Sequence, residues 1–171
     1  MKKYLLSATG TALFALPFTM HAADVERQAE VARRGADVMP FSLKATTHIF
    51  TQTSDGGTQR IVAKNAADTQ QILLVREHLH NMQAQFQTGD FSGPSHIHGT
   101  DMPGLAQLKA AKPGQIEISY HDVDGGAQLN YRTADAGLVS ALHTWFDAQI
   151  SDHGADAMAG HQQHHDEFPK Q

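Results

Sequence analysis

Residues 43–64 read LKATTHIFTQTSDGGTQRIVAK. The first nine positions are rich in β-branched side chains and read as a strand. Asp55-Gly56-Gly57 then supplies a tight turn, and Gln59–Lys64 returns as a second strand. Asp68 follows as a helix cap. Ile72, Val75, Leu79, Met82 and Phe86 recur at three- and four-residue steps, which makes one apolar helical face, and Gly89 ends it. The same order returns downstream. Gln115–Val123 is a strand with Ile116, Ile118 and Tyr120 on one face, which leaves His121 facing solvent. Asp124-Gly125-Gly126 is a second turn, and Ala127–Thr133 is a strand with Leu129 and Tyr131 inward. Asp135 caps a helix carrying Leu138, Leu142, Trp145 and Phe146. Both turns share Asp-Gly-Gly-x-Gln, at 55–59 and 124–128. The pattern predicts an α+β fold from a duplicated ββα unit. The expected product is a four-stranded antiparallel sheet with two main helices on one face.

Outside this domain, taken as residues 41–154, three segments differ. Residues 1–22 have the form of a secretory signal peptide, with Lys2 and Lys3 before an apolar run and cleavage near Ala22. Residues 23–40 read as an N-terminal helical arm with a thin apolar stripe, broken at Met39-Pro40. Residues 155–171, ADAMAGHQQHHDEFPKQ, have no apolar period and are expected to be a disordered His-rich tail. The expected location is the periplasm, with no membrane association after cleavage.

Past Ala22 about eleven basic residues face eighteen acidic ones, a net charge near −7. Nucleic-acid binding depends on phosphate neutralisation by Lys and Arg, so this balance argues against it; it suits cations. There is no cysteine, so no disulfide supports the fold, and stability must come from a packed core. No Gly-x-Ser-x-Gly elbow and no Gly-rich phosphate loop is present, so no catalytic residue is assigned.

Histidine carries the chemistry. The chain has twelve. Neutral imidazole is the commonest protein metal ligand. Ser95-His96-Ile97-His98-Gly99-Thr100-Asp101-Met102 offers two imidazoles at i and i+2 of an extended loop, a carboxylate and a thioether. Imidazole suits copper, zinc and nickel, and thioether favours Cu(I). His96, His98, Asp101 and Met102 are therefore the expected metal ligands. His161, His164 and His165 in the tail form an auxiliary trap. His48, His78, His143 and His153 are scattered along strand and helix, and they form an additional site if both helices lie on one sheet.

Three stretches resemble a family of small exported proteobacterial proteins. They are Ala45-Thr46-Thr47-His48-Ile49-Phe50, Gly89-Asp90-Phe91 through His96-Ile97-His98-Gly99-Thr100-Asp101-Met102-Pro103-Gly104, and Trp145-Phe146-Asp147-Ala148-Gln149 with Ser151-Asp152-His153-Gly154. Members of that family are sometimes labelled aspartate carbamoyltransferase. The chain lacks the Ser-Thr-Arg-Thr and His-Pro-x-Gln motifs of true transcarbamylases, so that activity is not carried over. The resemblance implies a site around His48, His98, Asp101 and His153.

The function expected from these features is periplasmic metal binding, in sequestration or delivery, with copper as the ion and zinc or nickel as alternatives. The competing readings are a small periplasmic enzyme with a His/Asp pocket and a non-catalytic module that binds a periplasmic protein partner through the open sheet face. The last of these requires a contiguous apolar patch there.

Overall fold

The structure is a computed structural model that describes residues 18–161. Helix α1 (Phe18–Gly35) is followed by the hairpin β1 (Thr46–Thr53) and β2 (Gly56–Ala63), then by α2 (Thr69–Gln87). Two short helices come next, α3 (Ser92–His98) and α4 (Leu105–Ala110). The second hairpin, β3 (Glu117–Val123) and β4 (Gly126–Arg132), leads to α5 (Ala136–His153) and a short final strand, β5 (Ala157–Ala159).

The sheet order is β3-β4-β2-β1-β5. Both hairpins are antiparallel, and they abut through their second strands, also antiparallel. Gly57 faces Tyr131 and Gly126 faces Val62, positions that interchange when one Asp-Gly-Gly turn is laid on the other. β5 runs parallel to β1, with His48, Ile49 and Phe50 opposite Ala157, Met158 and Ala159.

The fold is thus a mixed five-stranded sheet with five helices among the described residues, which corrects the expected four antiparallel strands and two main helices. The fifth strand lies in the segment read as a tail. A three-residue strand is too short to show a period of two, and its pairing comes from β1 rather than from its own composition. Gly154, in the left-handed region at φ 54°, closes α5 and turns the chain back toward that edge. α3 replaces the expected extended loop. Pro94 sits in its first turn, where a missing N–H costs nothing, and the Ser95 hydroxyl donates to the Phe91 carbonyl. Residues 1–17 and 162–171, which include most of the segment read as an export signal and His164 and His165, lie outside the described residues.

α2 and α5 each pack chiefly on the hairpin of the other half. α2 follows β2 but lies over β3 and β4. Arg76 donates to the carbonyls of Gly126 and Val123, and Gln83 and Gln87 both donate to that of Ile118. α5 follows β4 but lies over β1 and β2, where Gln52 donates to Asp147 and His143 bonds the turn. Burial alternates along β1 and β2, so Phe50, Ile61 and Ala63 point into one core with Leu79, Phe86, Trp145 and Phe146. Trp145 meets Phe86, Phe91 and Tyr131 edge-on at 6.1–6.3 Å. Gly104 permits α4 to touch α5, since a Cβ there would lie 2.3 Å from the Ala141 carbonyl oxygen. The outer face of the sheet carries Thr47, Thr51, Thr58, Arg60, Gln128 and Asn130, with the apolar Ile49, Val62 and the exposed Met158 among them.

Candidate functional site

His48 sits mid-strand on the inward face of β1, between Thr46 and Phe50, and is buried. Across it lies the end of α5. The His153 ring stacks on that of His48, with centroids 4.8 Å apart and planes within 9°. His98, last residue of α3 and buried, meets His153 edge-on at 5.1 Å. His78 of α2 completes the group, packed edge-on against Phe41 at 5.4 Å. These four imidazoles, from four separate elements, line one cavity of about 50 Å3. Met39 and Met82 line it too, with the amides of Gln59, Gln85 and Gln149.

The protonation states follow from burial. Removing an imidazolium from water is costly, so burial pushes His78 and His153 down to about 4. The positive field of His98 adds to the effect at His153, against the opposing carboxylates of Asp152 and Asp156. His48 is held well below the ordinary range by burial first, then by His153 and His78. These rings are neutral at pH 7. The Nδ1 of His48 is buried without a hydrogen-bond partner, and such a group costs about 1–3 kcal/mol to leave unsatisfied.

His98 differs, because its Nδ1 lies 2.8 Å from Asp152 Oδ2. Burial resists the charge on Asp152. The hydrogen bonds and charges of His98 and Arg27 outweigh that cost and hold the carboxyl at about 2. An ionised carboxylate only accepts, so His98 Nδ1 carries the proton donated to Asp152. Arg27 donates through Nε and Nη2 to the two oxygens of Asp152, at 3.0 and 2.6 Å, and through Nη2 to the His98 carbonyl at 2.6 Å. Its guanidinium is thereby raised above its ordinary value by Asp152. α1 is anchored over the site by this fork and by the fully buried Val31.

The expected ligands divide. His96 and His98, two apart on a helix, point about 200° away from each other. His96 is exposed, with Nε2 3.3 Å from Asp37. Met102 is buried in the hydrophobic core and does not line the cavity. Asp101 is exposed, close enough to Arg27 to act on its charge. His143 lies outside the cluster, where its Nε2 holds the carbonyls of Thr53 and Gly56 at 3.0 and 2.9 Å. His161 is exposed beside the outer sheet face. His48, His78 and His153, from the scattered group, join His98 from the loop group.

Sequence reasoning missed Met39, Arg27 and the role of Asp152. A signal for Arg27 was present: Arg27, Val31 and Gly35 recur every fourth residue, one stripe of α1. Among the described residues, no group of three or more His, Asp or Glu side chains is placed so that it could hold a metal ion. Comparison with family models, curated proteins and solved structures finds no match for this chain.

Proposed function

We propose that this protein is an exported, periplasmic metal-binding protein that holds a copper ion in the histidine cavity, for sequestration or delivery. Zinc and nickel are alternative occupants. The observation that carries this reading is the convergence of four imidazoles and two thioethers on one small cavity, with His48 Nδ1 buried and unpartnered. Neutral imidazole and thioether together suit Cu(I). The Asp152–His98 pair has the form of an outer carboxylate that fixes a ligating histidine's tautomer and ring. Coordination requires His153 to rotate out of its stack on His48, because stacked rings do not direct their lone pairs to one point. The tail histidines, His161 with His164 and His165, act as a weaker auxiliary trap.

The size of the histidine cavity itself favours this over the enzyme reading. The buried His98–Asp152 pair is the feature that favours acid–base chemistry. A cavity of about 50 Å3 admits an ion or a water, whereas organic ligands occupy roughly 300–1,000 Å3. The partner-binding reading has less support, because polar side chains outnumber Ile49, Val62 and Met158 on the open sheet face.

Anaerobic titration of the protein with the Cu(I)–bicinchoninate complex tests the proposal. One equivalent should leave the chelator for the cavity. Asp152→Asn should weaken that transfer by about 10–100-fold through the outer contact alone, and His48→Ala by at least as much. His96→Ala should change nothing. No withdrawal of copper from bicinchoninate, or equal loss in His96→Ala and His48→Ala, would overturn it.

A further inference from the structure

We infer that the cation reaches the cavity through a mouth beside α2, and that His78 and Met82 relay it inward; this rests on the copper reading of the cavity. A second depression, about 330 Å3 and half open, adjoins the cavity. Its outer rim is Pro40, Glu77 and Asn81, all exposed. The two spaces share four residues, Val38, His78, Met82 and Gln85, which together form the partition between them.

Of those four, Val38 has no donor atom and Gln85 offers a hard amide oxygen, which suits copper poorly. His78 and Met82 have imidazole and thioether. They are four apart on α2, so their side chains are neighbours on one helical face. The His78 ring is held edge-on by Phe41. Met82 is unbranched, with three rotatable bonds, so its sulfur can swing between the two spaces without moving the backbone. Glu77 at the rim supplies a negative charge that raises the local concentration of cations. Inside the partition, His48, His98 and His153 are the more deeply placed acceptors. The order Glu77, then His78 with Met82, then the inner imidazoles runs from the exposed rim to the buried interior.

A relay ligand lowers a barrier without deepening the final well, so rate and affinity separate it from a resident ligand. Cu(I) transfer from bicinchoninate to the protein is followed by anaerobic stopped-flow, and its equilibrium by titration. Met82→Leu keeps the volume and removes the sulfur. Asn81→Trp obstructs the rim at an exposed position, where folding is not at stake. Both should slow loading by at least about tenfold, roughly 1.4 kcal/mol of barrier; Asn81→Trp should shift the equilibrium by less than about threefold, and Met82→Leu should weaken it by less than His48→Ala does. Unchanged rates in both variants would overturn the route. A loss of affinity in Met82→Leu as large as that in His48→Ala would make Met82 a resident ligand and overturn the relay. If the unaltered protein takes no copper at equilibrium, the copper reading fails and the route falls with it, before any rate is measured.

Discussion

Metal-free protein should lose stability on mild acidification, well before its carboxylates titrate. His78 and His153 are held at about 4 in the folded chain, against 6.5 in the unfolded one. Above pH 6.5 both states carry neutral rings, and the linkage contributes nothing. As pH falls below 6.5 the unfolded chain takes protons that the folded one refuses, so stability declines until about pH 4 and is then flat. Each pKa unit is worth about 1.4 kcal/mol, which sets an upper limit near 3 kcal/mol per ring. Both residues keep some exposure, so roughly half of that, about 3 kcal/mol for the pair, is the expected loss. His48 adds to it in the same direction. Against a typical stability of about 5–15 kcal/mol this is a large fraction. Urea unfolding followed by Trp145 fluorescence, at constant ionic strength between pH 8 and 3, measures it. Asp152 acts in a separate window: its carboxyl is depressed to about 2, so its stabilisation is present above 3.8 and disappears between 3.8 and 2. A free energy that stays level from pH 7 to 4 and falls only below 4 would assign the acid sensitivity to Asp152 and refute the neutral-histidine argument. His78→Leu should remove about half of the pair's loss in the upper window and leave the lower one intact.

Arg27→Ala leaves Asp152 paired with His98 alone and frees α1 from the site; a loss of about 2–3 kcal/mol in thermal or urea unfolding is expected, because a partly buried carboxylate loses one of its two partners. Truncation after Asp156 removes β5 and uncovers the β1 edge at His48–Phe50. The lost backbone bonds should lower stability by about 1–3 kcal/mol, read by calorimetry, and an unchanged melting temperature would show that the strand contributes nothing. His143→Ala should cost about 1–2 kcal/mol through the hairpin turn it holds, with copper affinity untouched, which titration checks directly.

What was legible in the chain depended on whether the cause was local. The hairpin strands, the Asp-Gly-Gly turns and the two long helices announce themselves by period and by caps. Asp68 accepts from the Gln71 amide and Asp135 from the amides of Gly137 and Leu138. α3 was hidden because Gly93 and Pro94 usually break helices, and only their place in the first turn makes them compatible with one. β5 was hidden because its order comes from an edge contributed by residues more than a hundred positions away. The site divides in the same way. His48, His78, His98 and His153 were each visible as candidates, but grouping them required knowing that β1, α2, α3 and α5 meet at one point. Proximity along the chain misled in the other direction: His96 and Met102 flank His98 in sequence, yet a helical turn and the packed core send them elsewhere.

The exchange of helices between the two halves has a consequence for how the chain can be divided. The helix that covers each hairpin is encoded in the opposite half of the chain, so neither half contains a complete interior. A break in the exposed stretch before β3, at Gly114, would yield two pieces that each present a bare sheet face and an unmatched helix. Neither piece should be folded by itself, and mixing them should restore the interior through a bimolecular association whose strength depends on fragment concentration.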